Sequence, residues 1–352
     1  MRTIDRPDFV NLPSDVAALF REAGRSSFFN LPEWYDVMAK TGLEAGTQPR
    51  LYVSSEAAVV ASVADEGRPR DVHGFCNMYT IEHAILASSS DQARSLMAEF
   101  AREYPSTDVM LIAGLDPADP NFAAACAGLK DAGFVVKPYF CWGIWFEAIA
   151  RGFEGYFEAR PSVLKNTWRR KLSAMEKSAR IEFRTEDEID VEAFMTAYDA
   201  VYQESWKEAE PFAGFMPALM RAAAGLGALR YGVLEADGNP VAAQFWIVWA
   251  GAAIIYKLAY NEKWSKFSPG TLLTMYMARH VLERDAVHEI TFGRGDDAYK
   301  KLWTSTRRER WGIEAANPKT VRGLSRAVRL KAALARDVLA GRRAPAKDVS
   351  AD

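Results

Sequence analysis

Three features of the first half of the chain recur close to 180 residues later. The helical run Asp91–Glu103 is answered by Thr271–Arg284, the buried strand Asp108–Ala113 by His288–Phe292, and the post-strand Asp116 by Asp296. Each half reads as strands, helix, strand, helix, strand. Residue identity across the echo is poor, so a duplication and a coincidence of ordinary α/β spacing both remain open. At 352 residues the chain exceeds what one hydrophobic core usually supports. It divides into an α/β (α+β) half over 1–150, a second over 151–316, and a basic tail over 317–352.

Composition removes several function classes. Lys and Arg number 44 against 46 Asp and Glu, a net charge of −2. No overall basic field therefore marks a general nucleic-acid binder. Cys76, Cys126 and Cys141 are odd in number, widely spaced and set in apolar runs. They read as buried reduced thiols of a cytoplasmic protein, not as a disulfide framework or a zinc site. His73, His83, His280 and His288 form no HExxH or HxH pair, so no metal is expected. The N-terminus MRTIDRPDFVNLPSDVAALF has no apolar core behind its basic start, and no signal peptide is expected. The uncharged stretch Phe245–Tyr256 is shorter than the ~20 residues that span a bilayer. Gly251 at its centre makes it two strands of a hairpin.

Strands are expected at Arg50–Ser54, Ala57–Val63, Val72–Tyr79 and Asp108–Ala113, and across Gly133–Phe146 with a break near Pro138. A helix is expected over Asn121–Asp131. In the second half, Ser162–Ala179 is a basic amphipathic helix with Leu164, Trp168, Leu172 and Met175 on its dry side. Helices Val191–Trp206 and Pro217–Gly225 follow, then strand Ala228–Glu235 and the hairpin Val241–Trp249 with Ala252–Tyr260. Asp296–Trp303 reads as a helix and Arg310–Ala315 as the last strand. In the tail, Arg322, Arg326 and Arg329 share one helical face, opposite Val321, Leu324, Val328, Leu334 and Val338. It reads as a helix capping the second half with a solvated basic face, or as contact with an anionic membrane surface. Gly341–Asp352 is expected to be disordered.

Two segments carry candidate chemistry. Ser268-Pro269-Gly270 follows a strand and opens a helix. Ser268 suits the N-cap and Pro269 the first helical position. Gly270 lets a ligand approach the backbone, and the helix dipole favours an anion. The same tripeptide also serves simply to start a helix. Gly293-Arg294-Gly295-Asp296-Asp297 ends a strand, where ligands gather in α/β folds; plain helix capping is the alternative. Tyr299-Lys300 sits one turn further on. Lys257 lies mid-strand, and Tyr256 and Leu258 should point away from it.

The run YKLAYNE…SPGTLL…ITFGRGDDAYKKLW resembles the acetyltransferase domain of the GNAT superfamily found in cellulose- and exopolysaccharide-associated bacterial proteins. That group is similar to the FemAB peptidoglycan-bridge transferases, which are built from two GNAT-like domains in tandem. The aromatic strand before Tyr260, the Ser268-Pro269-Gly270 helix start, and Gly295 followed by Tyr299-Lys300 and Trp303 carry the resemblance. Phe29…Trp34 and Asn77-Met78-Tyr79-Thr80 resemble the group's first domain. The similarity spans about residues 25 to 312 and is specific in the second half. Thr291 stands where the family often has an acid, and the long helical arm that FemAB enzymes use for transfer RNA is not seen.

The resemblance implies two tandem GNAT-like domains, each a mixed, mostly antiparallel sheet flanked by helices, plus a C-terminal basic helix. The first would bind acceptor or be structural. The second would move an acyl group from acetyl-CoA or another acyl-CoA to an amine on an amino sugar or a cell-envelope or exopolysaccharide precursor. Aminoacyl transfer to a peptidoglycan precursor and a non-catalytic glycan- or partner-binding duplicate are the alternatives. Ser268, Pro269, Gly270, Thr271 and Tyr260 would hold the coenzyme. A splay between Ala252–Tyr260 and His288–Phe292 would expose a backbone N–H to the oxyanion. Asp296 is the candidate base with Asp297 behind it, Tyr299 the candidate acid, and Lys300 the candidate cation. Core packing at i, i+4 spacing is the other reading of Tyr299 and Trp303. Lys257, Arg294, Trp206, Arg169 and Tyr79 would line an acceptor groove between the domains; the basic helix at Lys165–Lys171 also reads as a solvated face. The expected partner is a small-molecule or lipid-linked glycan acceptor and no nucleic acid. The expected location is the cytoplasm, peripheral to the inner face of the membrane.

Overall fold

A computed structural model of the protein describes residues 1–65, 67, 69–341 and 349–350. It forms two compact units, one built from Met1–Gly143 with Arg307–Val349 and the other on Ile144–Thr306. In chain order the first contains β1 (Arg2–Asp5), α1 (Ser14–Gly24), α2 (Pro32–Thr41), β2 (Thr47–Val53), β3 (Ala57–Ala64), β4 (Asp71–Gly74), β5 (Leu86–Ala87), α3 (Ser90–Arg102), β6 (Val109–Leu115), α4 (Pro120–Asp131) and the start of β7 (Val135–Ala148). The second takes the end of β7, then α5 (Gly152–Ala159), α6 (Ser162–Glu176), β8 (Ile181–Thr185), α7 (Val191–Gln203), α8 (Phe215–Gly225), β9 (Leu229–Ala236), β10 (Asn239–Trp249), β11 (Ala252–Tyr260), α9 (Pro269–Arg284) and β12 (Glu289–Arg294). The chain then returns to the first unit with β13 (Thr306–Ala316) and α10 (Val321–Leu339).

Each unit carries a mixed sheet with one parallel pair. In the first, β4 runs parallel to β6 with Asp71 opposite Val109. In the second, β11 runs parallel to β12 with Ala252 opposite Glu289. These partners stand 181 and 180 residues apart, so the echo in the sequence is a repeated strand pairing and not generic spacing. The pairs β1·β2, β2·β3, β3·β4, β3·β5 and β6·β13 are antiparallel in the first unit. So are β7·β12, β10·β11, β9·β10 and β8·β9 in the second.

The hairpin β10–β11 turns through Ala250 and Gly251, both at positive φ (49° and 77°), the geometry a two-residue hairpin requires. In the second unit α9 buries Leu272, Leu273, Met277, Ala278 and Val281 in one cluster with Ala242, Trp246, Ala253 and Ile255 of the sheet. Each such aliphatic side chain contributes about 1.5–3 kcal/mol on burial. Aromatic contacts of Phe194 with Tyr231 and of Tyr198 with Phe245 place α7 against the sheet residues that α9 does not cover.

Four expectations change. β7 is one unbroken strand of 14 residues through Pro138. Its register with β12 runs from Ile144 to Ala148, so Pro138 lies outside that pairing. The helix expected over Asp296–Trp303 is only a 3-10 turn, Ala298–Leu302. The last strand and the basic helix pack in the first unit, not the second: β13 pairs with β6, and Arg326 of α10 bonds Glu314 of β13. Of the tail expected to be disordered, 342–348 and 351–352 lie outside the described residues, while β14 (Val349–Ser350) pairs with β13. The three cysteines are free thiols.

Candidate active site

The second sheet opens at one place. β11 and β12 share three register pairs, Ala252–Glu289, Ala253–Ile290 and Ile254–Thr291, and β11 then continues past the last of them to Tyr260. Both strands end at the same edge of the sheet, which is where α/β folds bind ligands. Beyond the opening, β11 contains a bulge. Phe245 faces Lys257 and Trp246 faces Ile255, leaving Tyr256 as the extra residue. Alternation from Ala253 and Ile255, both in the α9 cluster, would send Lys257 under α9. The bulge reverses it. Lys257 Nζ instead donates to Glu210 Oε1 at 2.6 Å, on the loop after α7. Tyr256 packs on Phe245 at 5.4 Å and shares that side, against expectation, whereas Leu258 points to α9 as expected.

The loop after α7 completes this corner. Tyr202 donates its hydroxyl to Glu210 Oε1 at 3.1 Å and to the Glu208 carbonyl at 2.8 Å. Lys207 Nζ lies 5.6 Å from the Trp206 ring and 5.9 Å from the Tyr202 ring. The Trp206 ring, half of its surface exposed, stacks 4.4 Å from Tyr260. Burial, and then the positive charge of Lys257, push the Lys207 ammonium down to about 8, with Glu210 opposing. Trp206 reaches this corner through Tyr260 and Lys257 through Glu210. Lys207, Glu210 and Tyr202 were not anticipated. The only signal for them was a mixed-charge aromatic loop, SWKEAEPF, between two helices.

The start of α9 differs from its expected form. Ser268 occupies the N-cap position but in the left-handed region, φ 54°, and its side chain makes no cap bond. The Thr271 and Leu272 amides both turn back to the Ser268 carbonyl at 2.9 and 3.2 Å, and Pro269 has no N–H. The Gly270 amide is what remains for an anion, together with the helix dipole. Gly270 is needed for packing: a Cβ there would lie 3.2 Å from the Tyr260 ring and 3.6 Å from Leu258. Lys266 stands one turn before, and Lys171 of α6 donates to its carbonyl.

The loop after β12 is held by its own side chains. Lys300, 3% exposed, donates to the Arg294 carbonyl at 2.7 Å and the Gly295 carbonyl at 3.2 Å, and pairs with Asp297 at 3.2 Å. Burial lowers its pKa, and Asp297 opposes that. Lys300 is therefore a brace in this loop. Asp296 is exposed and accepts the Trp145 indole N–H at 3.1 Å. Thr291, at the family's acidic position, is buried; its hydroxyl donates to the Trp145 carbonyl and accepts from the Gly293 amide. It pins the β12 bulge between Thr291 and Arg294. Tyr299 is half-exposed, and burial followed by Asp297 raises its phenol to about 12, so it carries its proton at neutral pH. The Arg294 side chain is exposed. Trp303 is buried in the core, its ring 5.7 Å from Phe292.

Two other expected acceptor residues have these surroundings. Arg169 packs over Phe157 at 5.6 Å and lines a cavity of about 610 Å³ at the start of α6. Tyr79 belongs to the first unit, where it is 3% exposed and buried. Among the described residues no His, Cys, Asp and Glu cluster could hold a metal, and no helix is long and apolar enough to cross a membrane.

No curated protein matches the sequence. Solved structures do share the fold. FemX has a TM-score of 0.61 at 10% identity, covering 89% of this chain and 97% of its own. L-PGS from Bacillus licheniformis has 0.56 at 13%, covering 94% and 97%. A tandem GNAT protein from the clavulanic acid biosynthesis pathway has 0.50 at 13%, covering 86% and 92%. Residues 162–301, within the second unit, match the family model described as an acetyltransferase (GNAT) domain, and the mixed α/β fold is shared with that tandem GNAT protein.

Proposed function

We propose that the protein is an N-acyltransferase that moves an acyl group, acetyl first among them, from acyl-CoA to an amine on an amino sugar or an envelope or exopolysaccharide precursor. The observation that carries this reading is the parting of parallel β11 and β12 after three register pairs, in a segment matched by the GNAT model. The diphosphate of the donor would meet the Gly270 amide, the α9 dipole and the cations Lys266 and Lys171. The half-exposed, protonated Tyr299 would supply a proton to the departing thiolate. Titration calorimetry with acetyl-CoA should give heat, and an amine panel should release free thiol. Neither signal would reject the reading.

Likeness in fold to FemX supports a second reading, aminoacyl transfer to a peptidoglycan precursor. Dependence of product formation on charged transfer RNA, with acetyl-CoA inert, selects it. We also propose peripheral membrane contact through α10. Val321, Leu324, Val328, Val338 and Leu339 are exposed, and Arg322, Arg329 and Arg336 form a row at seven-residue spacing beside them. Such a helix lies in an anionic interface with its apolar stripe inserted. Co-sedimentation with phosphatidylglycerol vesicles, lost in Leu324→Asp/Val328→Asp and absent with phosphatidylcholine, is the expected result.

A further inference from the structure

The corner formed by β11 and the loop after α7 holds more ionisable chemistry than packing requires. An acid, two lysines and a phenol converge at the edge of the sheet where β12 has departed. The β11 bulge, at a cost in ladder regularity, delivers Lys257 there instead of leaving it under α9. Lys257 bonds Glu210, and Glu210 also takes the Tyr202 hydroxyl, so the acid is held from two elements. Lys207 lies over the two rings of Trp206 and Tyr202, and its backbone amide donates to Ser205 Oγ at 3.3 Å, fixing the turn that leads into it. Each group that faces Lys207 is thereby identified: Tyr202 from α7, Trp206 and Glu210 from the loop, Lys257 from β11.

We propose that Lys207 is the general base of the transfer, taking a proton from the ammonium of the acceptor beside the exposed Trp206 ring. This rests on the acyltransferase reading. The Lys207 amine removes one proton from R–NH3⁺. The freed nitrogen lone pair adds to the thioester carbon, and the C–S bond breaks. Tyr299 protonates the departing thiolate, giving free thiol, the second nitrogen proton replaces the one Tyr299 gave, and Lys207 returns its proton to solvent. Lys257 and Glu210 are positioning residues: the first disfavours charge on Lys207, the second favours it. The ammonium, pushed down to about 8, is partly neutral at physiological pH, which an ordinary lysine is not.

The test has two arms on the full chain. Competitive labelling of lysines with acetic anhydride across pH 6–11, read by peptide mass spectrometry, measures the titration of Lys207 without turnover. A midpoint about two units below the other surface lysines is expected. Lys257→Met should raise it and Glu210→Gln should lower it. Thiol release from acetyl-CoA with glucosamine as the probe amine then measures the role. Lys207→Arg keeps the charge but cannot accept a proton, and should lose at least 100-fold in kcat with acetyl-CoA affinity intact. The rising limb of kcat/KM should follow the labelling midpoint in the two positioning variants. A Lys207 midpoint equal to that of other lysines, or full turnover in Lys207→Arg, overturns the base role and leaves the acyltransferase standing. No heat with acetyl-CoA and no thiol release removes the acyltransferase, and the base with it.

Discussion

Lys300 has three ammonium protons and three oxygens within reach, on Arg294, Gly295 and Asp297. Its charge serves the loop that follows β12. Lys300→Met should leave two partly buried carbonyls without a donor and cost about 1–3 kcal/mol. Thermal unfolding and proteolysis within 294–297 would record it. A Lys300→Met chain with unchanged melting and lost turnover would instead assign the ammonium to the reacting atoms. Asp296 allows a cleaner separation. Asp296→Asn keeps an oxygen for the Trp145 indole, so stability should move by no more than about 0.5 kcal/mol. A fall in kcat beyond about 100-fold would then mark proton transfer at Asp296, and none is expected if Lys207 is the base.

Elements were legible where pattern and backbone agree. The β10–β11 hairpin followed from an apolar run with Gly251 at its centre, and α9 from Ser268-Pro269-Gly270 at its start. The β11 bulge was not, because one extra residue leaves composition and length unchanged while reversing every side chain beyond it. The short 3-10 turn at Ala298–Leu302 was missed for a related reason: Gly293 and Gly295 hold positive φ (59° and 109°) and keep the chain in a loop where charge alone suggested a helix start. Arg160 gave no signal either, yet it ties three elements together. It is 4% exposed, pairs with Glu147 at 2.5 Å, and donates to the carbonyls of Tyr156 and Trp303. Glu147 also receives the Ser305 amide at 2.7 Å. Arg160→Met should cost about 3 kcal/mol by leaving a partly buried carboxylate without its cation, and Arg160→Met/Glu147→Gln should recover part of that in denaturant unfolding.

A titratable tie secures the far end of α9. His280 Nε2 donates to Glu186 Oε1 at 2.9 Å, and Glu186 raises its pKa; burial opposes, Asp187 assists, Arg284 opposes, and Arg230 bonds Asp285 alongside. The raised folded pKa means the imidazolium stabilises the second unit fully below the ordinary histidine value near 6.5 and loses that contribution as pH climbs through the raised value. The melting difference between the native chain and His280→Gln should therefore shrink from pH 6 to pH 9. A difference that grows over that range would contradict the Glu186 pairing.

At the scale of the molecule, the connectivity matters more than either unit alone. The chain leaves the first unit along β7, builds the second, and comes back to supply β13 between β6 and β7 and then α10. Thr320 caps α10 and also bonds Asp108 at 2.6 Å, while Asn317 donates to the Pro105 carbonyl at 3.0 Å, so the return is anchored at both the strand and the helix. Ile313 and Ala315 of β13 sit inside the first unit's core cluster. A chain ending after Thr306 would keep every strand of the second sheet but strip the first of β13, exposing the flank of β6 and opening that core. Such a chain should lose the first unit's cooperative unfolding transition while the second unit's persists, with fragments from 1–143 appearing first in limited proteolysis. Adding residues 307–341 as a separate peptide should restore protection over 109–115, because β6 supplies the missing strand's antiparallel register. Equal protease resistance of the shortened and full chains would mean that β13 contributes nothing to the first core, against the burial of Ile313 and Ala315.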